Sequence, residues 1–441
     1  MEKSLVRPLI FSLALLLCSA PVQAGAKEKS DHVIYRVVKG DNLYTLAERY
    51  FLRKGDYVIA QRLNRIAYPR RLQIGTSISI PRSLLRQEPA TAAIHSFRGD
   101  VRIGARGKQT PATVGRTVRE GDWIDTDRKS FVTLRLADGS MITLPSQSSL
   151  RVERLRRTLL TQSVERSFRI NRGRAGAMVT PMKDSHSNFR LLTPTTVSAV
   201  RGTRFRTSYD PASGRSTTEV LEGNVGFKPD GKSSEQSLAP GFGMTNMLSG
   251  PVSLLPAPEL LRPAQIQDEE QLHFALDPLA EATGYRVEIA ADAGFLDMID
   301  ETTVTSAEAS LPSLRNGDYF VRVTALAASG LEGLASTYAF RRQLHRITTS
   351  AEERSIGRSR QYLFRWDAPD AEKEQYRFQL SSNPDGSNPL VDELGLTQTS
   401  LVLTDLPAGV YYWRVMTLDS IDGQPREKWS PFEGLRVQVA K

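Results

Sequence analysis

Two stretches decide the fold of the first module: residues 35–50 read YRVVKGDNLYTLAERY, and residues 72–81 read LQIGTSISIP. The alternation of Tyr35 and Val37 predicts a short strand, and the Gly-Asp pair that follows predicts a turn. Apolar residues then recur at i, i+3, i+4 and i+7, which places them on one face of a helix. Those residues are Leu43, Leu46, Ala47 and Tyr50.

A helix cap, a second helix and a second strand complete this module. Either Asp41 or Asn42 can cap the first helix, because their short polar side chains accept hydrogen bonds from free backbone N–H groups. A second helix is predicted from Asp56 to Asn64, and its inward residues are expected to be Val58, Ile59 and Leu63. A strand carrying Ile78 and Ile80 then ends the module.

These spacings resemble the LysM module, and the resemblance covers residues 31–82. It implies a strand-helix-helix-strand fold that binds the N-acetylglucosamine-containing glycan of peptidoglycan. In that family the glycan lies in a shallow groove between the first strand-helix loop and the second helix-strand loop. Carried over by position, one wall consists of Gly40, Asp41, Asn42, Leu43 and Tyr44. The other wall consists of Asn64, Arg65, Ile66, Tyr68 and Pro69.

The two walls offer different chemistry to a sugar. Backbone groups near the glycine turn can meet acetamido groups, and Ile66 or Tyr68 offers an apolar surface to the ring. A purely structural role is the alternative for several of these residues. For Leu43 and Leu63 we favour a place in the core.

The N-terminal residues 1–24 have the pattern of a secretory signal. Lys3 and Arg7 precede an apolar run, and small residues before Ala24 suggest cleavage there. Lipidation at Cys18 is disfavoured, because the preceding residue is a leucine rather than a small residue. Cleavage after Ala24 leaves a mature chain without cysteine, which excludes disulfides and thiol chemistry. No later segment is apolar for long enough to predict a transmembrane helix.

Length and charge indicate several domains with unequal charge. The chain has 441 residues, of which 40% are hydrophobic, enough for three or four cores. Residues 25–250 hold 38 Lys and Arg against 20 Asp and Glu, a net charge of +18, whereas residues 251–441 hold 18 against 28, a net charge of −10. The basic part favours contact with anionic wall polymers or lipid headgroups. Attraction between the two parts is the alternative.

Residues 94–250 contain a second recognisable unit. Its sequence includes VREGDWIDT at residues 118–126 and TPTTVSAVRGTRF at residues 193–205. These strings resemble the FecR domain, named for the regulator of ferric citrate uptake. The resemblance implies a β domain outside the cytoplasm that receives a signal from a partner protein. The cytoplasmic segment and spanning helix of those regulators have no counterpart here, so we expect no direct control of transcription.

The residues of this unit predict an all-β domain without the family name. Residues 131–136 alternate between two faces, and Asp138-Gly139 is a strong hairpin signal before the next strand. A sandwich, a jelly roll or a solenoid-like stack remain open. Arg201 and Arg204 can be buried structural arginines paired with Asp or Glu, and we favour that structural role over the alternative of a functional one.

Residues 264–345 and 360–441 repeat one pattern. LPSLRNGDYFVRV at residues 311–323 matches LTDLPAGVYYWRV at residues 403–415, an offset of about ninety residues that suits two tandem immunoglobulin-like β-sandwiches. They resemble fibronectin type III domains. The aromatic residues of this region are predicted to be core residues, and they are Tyr285, Trp366, Tyr376 and Trp413. Trp429 is an alternative carbohydrate platform, although a structural role is favoured for it.

Two segments of this part are predicted to connect domains. The proline-rich stretch 251–263 reads as a linker, and residues 346–359 read as a weaker junction.

Motifs for catalysis, metals and nucleic acids are missing from the sequence. The five histidines are scattered without metal-ligand spacing, and no nucleophile elbow, His-Glu-x-x-His motif or phosphate loop occurs. An arginine cluster at residues 151–174 lacks the interleaved aromatic residues of nucleic-acid platforms. We therefore expect no catalytic residues, no cofactor, no metal and no nucleic-acid partner.

The predicted fold is mainly β and multi-domain: a βααβ module, a FecR-type β domain and two sandwiches. The predicted function is that of a non-catalytic protein of the Gram-negative envelope, periplasmic, wall-associated or secreted. It would bind peptidoglycan and engage an envelope protein partner. The alternative is a signal-transduction component acting with an outer-membrane transporter or a separate inner-membrane regulator. A cell-wall hydrolase is less favoured, although paired carboxylates without a motif can escape detection.

Overall fold

The computed structural model describes residues 32–105, 108–184, 186–232, 234–344, 346–356, 359–369, 375–421 and 424–438. The predicted signal segment 1–24, with Cys18, lies outside the described residues. The described part divides into two compact units. One contains the residues up to Gln87 together with Thr158–Gln162, and the other contains Glu88–Arg157 and Ser163–Lys441. None of the described helices has the length and apolar character that crossing a membrane requires.

The first unit has the predicted strand-helix-helix-strand order. Its elements are β1 (His32–Arg36), α1 (Leu43–Tyr50), a 3-10 turn (Lys54–Asp56), α2 (Tyr57–Leu63), β2 (Ser77–Pro81) and a second 3-10 turn (Arg82–Leu84). The two strands are antiparallel, with Val33 opposite Ile80 and Tyr35 opposite Ile78. One face of this ribbon packs on the helices, because Val33, Ile78 and Ile80 are almost fully buried.

The core of this unit agrees with the prediction for α1 and differs for α2. Leu43, Leu46 and Ala47 are buried. Ile59 and Leu63, which we predicted to point inward, are 47% and 44% exposed. The buried residue of α2 is Ala60, because a helix of only seven residues buries a narrow stripe and its packing places the smallest side chain there.

The second unit begins with a β-barrel. Its strands are β3 (Gln87–Pro89), β4 (Ala92–Arg98), β5 (Val101–Ala105), β6 (Lys108–Pro111), β7 (Thr117–Val118), β8 (Trp123–Thr126), β9 (Phe131–Leu136), β10 (Met141–Leu144), β11 (Ser149–Thr158), β12 (Val164–Met178), β13 (Asn188–Leu192), β14 (Thr196–Val200), β15 (Arg204–Asp210), β16 (Arg215–Glu222), β17 (Val225–Pro229), β18 (Gln236–Leu238), β19 (Phe242–Thr245) and β20 (Val252–Ser253). Their pairing closes on itself. The predicted all-β domain is confirmed, and its strands form a closed barrel rather than the sandwich, jelly roll or solenoid-like stack that the sequence left open.

The long strand β12 joins the two parts of the barrel wall. Its first half pairs antiparallel with β11 and parallel with β13, and its second half pairs with β10 and β15. Aromatic side chains fill the interior beside it: the ring centroids of Phe168 and Phe189 are 5.5 Å apart, and those of Phe189 and Phe205 are 6.4 Å apart. The predicted Asp138-Gly139 turn connects β9 and β10, and Gly139 adopts φ +85°, a conformation that favours glycine.

Two β-sandwiches follow the barrel. The first contains β21 (Leu272–Ala275), β22 (Ala282–Ala290), β23 (Met298–Val304), β24 (Glu308–Leu311), β25 (Gly317–Ala327) and β26 (Glu332–Arg342). The second contains β27 (Thr348–Ile356), β28 (Ser359–Asp367), β29 (Gln375–Ser381), β30 (Val391–Leu396), β31 (Ser400–Thr404), β32 (Gly409–Ile421), β33 (Gln424–Trp429) and β34 (Glu433–Val437). The predicted aromatic core residues of both sandwiches are buried, namely Tyr285, Trp366, Tyr376 and Trp413.

Both predicted connecting segments turn out to be part of folded modules. Strand β27 lies within the predicted junction 346–359 and pairs with β28 along its whole length. In the predicted linker 251–263, Leu260 is buried and the carbonyl of Leu255 accepts a 2.8 Å hydrogen bond from the N–H of Leu334. Prolines suggested an unpaired segment, but those of this stretch lie outside its strand β20, so their missing N–H groups interrupt no strand pairing.

Candidate functional site

The first loop of the LysM-like unit is held by its own polar side chains. Gly40 turns the chain at φ +96°, a conformation that favours glycine. The Asp41 carboxylate accepts hydrogen bonds from the Tyr35 hydroxyl at 2.8 Å and from the Val38 N–H at 2.9 Å. Burial and the hydrogen bond to Asp41 raise the pKa of Tyr35 to about 12. Asp41 therefore stabilises the turn with the side chain that we had placed on the groove wall.

The start of α1 is structural as well. Asn42 is its N-cap: the Asn42 Oδ1 accepts from the Thr45 N–H at 2.9 Å, and the Asn42 N–H donates to the Thr45 Oγ1 at 3.2 Å. Leu43 is fully buried, so its side chain lies in the core and not on the groove wall. Its N–H donates to the Pro69 carbonyl at 2.9 Å, a contact that joins the two loops of the expected groove.

Asn64 fixes the second loop. Its Nδ2 donates to the carbonyls of Ala60 and Ser79, both at 2.7 Å, and its Oδ1 accepts from the Ser79 N–H at 2.6 Å. These bonds attach the end of α2 to β2, so the amide that we expected to meet a sugar is occupied by backbone groups. Arg65 follows with φ +52° and an exposed side chain.

Ile66 and Tyr68 lie where a ligand can reach them. They line a cleft of about 220 Å³, together with Val37, Ala67, Arg71, Leu72, Gln73, Thr76 and Ile78. Tyr68 is 75% exposed, the largest value among the exposed large apolar side chains of the described residues. Arg71 and Gln73 are lining residues that we did not predict, because they lie in the irregular segment between α2 and β2, where no periodicity indicates which side chains reach the cleft.

Tyr44, the last residue of the predicted first wall, belongs to a separate aromatic pair. Its ring centroid lies 4.4 Å from that of Tyr57, and the guanidinium carbon of Arg70 lies 5.6 Å from the Tyr44 centroid. A hydrogen bond to Tyr44 is the largest cause of the raised pKa of Tyr57. Tyr44 does not line the cleft.

A second candidate site lies between the barrel and the first sandwich, along a seam of paired charges. Arg174 on β12 donates to Glu332 on β26 at 2.8 Å and to Glu301 on β23 at 2.5 Å. Arg206 on β15 donates to the carbonyls of Glu332 and Gly333 at 2.9 and 2.6 Å. We inferred that the basic residues 25–250 and the acidic residues 251–441 could attract each other. These hydrogen bonds and ion pairs are direct contacts of that kind.

The pKa values of two buried glutamates in the seam are shifted in opposite directions. Burial alone would raise the pKa of Glu332, but Arg174, Arg286 and Arg206 hold it well below its usual range. Burial raises the pKa of Glu219 to about 7, while Arg206 opposes that rise and Glu332 adds to it. The seam thus contains one firmly ionised carboxylate beside one that titrates near neutrality.

A loop of the first sandwich also contacts the barrel. The Leu296 carbonyl accepts hydrogen bonds from the hydroxyls of Ser96 and Thr133, the latter at 2.7 Å. Phe131 of the barrel belongs to one buried cluster with Phe295 and Met298 of the sandwich. Apolar packing and hydrogen bonds therefore reinforce the charge pairs.

Two cavities open along the seam and share Arg174, Ser208 and Glu332. One has a volume of about 210 Å³ and is lined by apolar and charged residues of both domains. The other is a cleft of about 1160 Å³ whose lining includes Arg128, Lys129, Arg172 and Arg215. Ligand sites commonly form at such domain boundaries.

The arginine cluster of the barrel is largely neutralised by carboxylates. The ion pairs are Arg154–Glu165, Arg156–Glu120, Arg157–Glu88, Arg166–Asp138, Arg169–Glu153, Arg172–Asp125 and Arg174–Glu301. Arg204 pairs with Glu222 at 3.5 Å but keeps 40% of its side chain exposed, and Arg201 is exposed. The interpretation of these last two as buried was wrong, although Arg204 does pair with a carboxylate. The buried arginine of the region is Arg166, which pairs with Asp138 inside the barrel.

Trp429 of the second sandwich is covered by cations. The guanidinium carbon of Arg414 lies 3.9 Å from its ring centroid, and that of Arg377 lies 5.7 Å away. Arg414 also lies over Phe432 at 4.4 Å. This stacking supports the structural role that we favoured for Trp429. Within the described ranges, no group of three or more His, Cys, Asp or Glu side chains is arranged to hold a metal ion.

Two protein-family models match the chain. The model described as LysM domain matches residues 35–81, and the model described as FecR protein matches residues 122–226. Both resemblances inferred from the sequence are confirmed. The two families are typical of bacterial envelope proteins and are non-catalytic. A comparison with curated proteins found no match.

Several solved structures resemble parts of the chain at low identity. A candidate anti-sigma factor from Parabacteroides distasonis is 19% identical over 30% of this chain and 57% of its own, with a TM-score of 0.24. Two fibronectin type III domains of chicken tenascin are 16% identical over 40% of this chain and 97% of theirs, with a TM-score of 0.18. The fibronectin(III)-like modules of Clostridium thermocellum CbhA are 12% identical over 40% and 90%, with a TM-score of 0.21. This chain spans little more than half the length of the candidate anti-sigma factor.

Proposed function

We propose that this protein binds peptidoglycan through its LysM module and uses the FecR-like barrel, joined to the first sandwich, for protein interaction or sensing in the bacterial envelope. The observation that carries the proposal is the LysM match over residues 35–81, with an accessible cleft in the same module. We place the protein in the periplasm or on the cell wall, as a non-catalytic component.

The cleft supports a specific division of labour among the expected site residues. Gly40, Asp41, Asn42 and Asn64 fix the two loops, and Leu43 joins them through the core and through its N–H. Ile66 and Tyr68 present apolar surface to a sugar ring, since a pyranose has C–H groups on its faces that pack against such side chains. Exposed polar side chains beside them, Arg71 and Gln73, are suited to hydrogen bonds with acetamido and hydroxyl groups.

The second part of the proposal rests on the FecR match over residues 122–226. A candidate for the partner is an outer-membrane transporter or a separately encoded inner-membrane regulator, which would make the protein a signal-transduction component. The basic cleft of about 1160 Å³ along the seam offers a surface of sufficient size for a protein segment. Crosslinking in intact cells, followed by identification of the captured proteins, tests this role. Recovery of neither kind of partner would argue for a purely scaffolding function.

A sedimentation experiment tests the wall-binding role. The mature protein is mixed with insoluble peptidoglycan, and a variant lacking residues 31–82 serves as the comparison. We expect the full protein in the pellet and the deletion variant in the supernatant, with circular dichroism showing that the β-rich remainder is folded. Equal sedimentation of both proteins would refute the LysM tether. A zymogram with cleared glycan would instead indicate a wall hydrolase.

A further inference from the structure

The smaller cavity along the seam has the features of a binding site. The resemblance to the FecR and LysM families does not imply a site at this place. Its volume of about 210 Å³ exceeds the roughly 150 Å³ of a cavity known to hold one benzene molecule. Barrel residues such as Met141, Phe205 and Leu221 and sandwich residues such as Phe295 and Met298 give it apolar walls. A ligand of one ring, or a short branched chain, fits these dimensions.

One polar atom of a residue that lines this cavity lacks a partner. Arg206 lines the cavity, and its Nε is buried without a hydrogen-bond partner among the described residues. The other nitrogens of the same guanidinium are engaged: Nη2 donates to the Glu332 and Gly333 carbonyls, and Nη1 lies 3.5 Å from the Glu332 carboxylate. A buried unsatisfied donor is costly, and a charged acceptor from a ligand would remove that cost.

The cross-strand register places a second group beside Arg206. Glu219 lies directly opposite Arg206 in the β15–β16 ladder, and Gly176 lies opposite Arg206 on the other side, in the β12–β15 ladder. Paired residues share one face of a sheet, and all three residues line the cavity. A Cβ added at Gly176 would meet no atom within 4 Å, so the space above this row is open.

We propose that this cavity binds a small apolar monocarboxylate, with the ligand carboxylate beside the Arg206 guanidinium and its apolar part lying between the barrel and the first sandwich. The charges support an anion: the lining contains the cations Arg174, Arg204, Arg206 and Arg322 against Glu219, Glu288 and Glu332. The balance is more positive still when Glu219 is protonated. This inference gives the proposed sensing role a ligand, yet it holds or fails independently of glycan binding.

Glu219 makes the binding depend on pH. Charged groups face it from β15 (Arg206) and β26 (Glu332), whereas its neighbour on β19 is the uncharged Gly243. Ionised Glu219 would repel a ligand carboxylate, and protonated Glu219 would not. Because burial raises the pKa of Glu219 to about 7, the competent protonated form is the major one at pH 6 and the minor one at pH 8. Apparent affinity scales with that fraction, so it should fall about tenfold between these pH values.

Benzoate titrated into the mature full-length protein tests the proposal by calorimetry, with benzyl alcohol and benzylamine as neutral and cationic controls. We expect binding of benzoate alone, about tenfold tighter at pH 6 than at pH 8. The Glu219→Gln variant should bind benzoate with no pH dependence over this range. Failure of the wild-type protein to bind benzoate at pH 6, or equal binding of benzylamine, would overturn the assignment.

Two further variants separate binding from folding. Arg206→Met should weaken benzoate binding at least tenfold. Arg215→Met is the control, because the Arg215 guanidinium also crosses the seam, where it donates to the Ser329 carbonyl at 2.9 Å. Arg215→Met should leave benzoate affinity unchanged. Should Arg206→Met unfold, Gly176→Val remains, because its side chain enters open space in the cavity and a β-branched residue suits a strand. Benzoate binding that persists in a folded Gly176→Val protein would contradict the proposed location.

Discussion

Arg174 of the barrel donates hydrogen bonds to Glu332 and Glu301 of the first sandwich, at 2.8 and 2.5 Å, although 158 and 127 residues separate the partners in sequence. The side chains of all three residues are less than one-fifth exposed. Removing either partner of such a pair would leave an uncompensated buried charge, so the contact between the two domains depends on both partners. The barrel and the first sandwich accordingly fall within one compact unit.

Removing the central carboxylate of the seam should be severe. Glu332→Ala leaves Arg174, Arg206 and Arg286 without a shared partner, and we expect a loss of about 3–5 kcal/mol in the free energy of unfolding, measured in urea. Glu222→Gln is the matched control, because its pair with Arg204 is exposed and should contribute less than about 1 kcal/mol. Equal effects of the two substitutions would show that the seam adds nothing to stability.

Glu219 should give the unfolding free energy a distinctive pH dependence. Its pKa is raised by burial to about 7 in the folded protein, so between the ordinary glutamate pKa and pH 7 the folded state binds a proton that the unfolded state has released. The free energy of unfolding should therefore fall as pH rises through this window, by up to about 1.4 kcal/mol per pH unit, and level off above it.

The comparison for that pH dependence is Glu219→Gln, which cannot titrate. Urea unfolding at several pH values between 5 and 8 should show a flatter profile for this variant than for the wild-type protein. Parallel profiles would mean that another group is responsible for the slope. The depressed pKa values of Glu332 and Glu288 act at lower pH, below the window considered.

Asn64 should matter to the LysM-like unit as a structural residue. Asn64→Ala removes the amide that bonds to Ala60 and Ser79, and it leaves the Ser79 backbone groups without those partners. We expect a loss of about 1–3 kcal/mol in unfolding free energy. Lys54→Ala, which removes an exposed ion pair with Glu48, should leave the free energy of unfolding nearly unchanged, because solvent screens such a pair. If Asn64→Ala weakens glycan binding without loss of stability, its role is direct contact instead.

Local sequence patterns predicted the modules correctly. They did not predict side-chain positions that depend on packing between residues far apart in the sequence. The helix face at Leu43, Leu46 and Ala47 and the hairpin at Asp138-Gly139 follow from periodicity and turn chemistry, which operate over a few residues. The inward placement of Ile59 and Leu63 was wrong, because the packing of Ala60 decides how a short helix rotates.

The seam lay beyond local reasoning for a related physical reason. Arg174 and Glu332 carry no pattern that identifies them as partners, and only the opposite net charges of the two parts of the chain indicated that they attract. The cleft at Ile66 and Tyr68 was predictable from the family resemblance, whereas Arg71 and Gln73 beside it were not, since their place depends on the path of an irregular loop.

Tyr68 tests the proposed glycan cleft within a folded module. Tyr68→Ala removes a 75% exposed ring that lines the cleft, so peptidoglycan affinity should fall about tenfold or more while stability changes little. Leu52→Ala is the matched control, because Leu52 is 60% exposed on the same unit but does not line the cleft. Equal sedimentation of both variants with peptidoglycan would place the sugar elsewhere.

The most direct measurement is calorimetry of the folded mature protein with chitooligosaccharides and muropeptides. We expect saturable heat of binding that Tyr68→Ala reduces and Leu52→Ala preserves. Absence of any heat from wild-type protein whose fold is verified by circular dichroism would contradict peptidoglycan recognition by the LysM module.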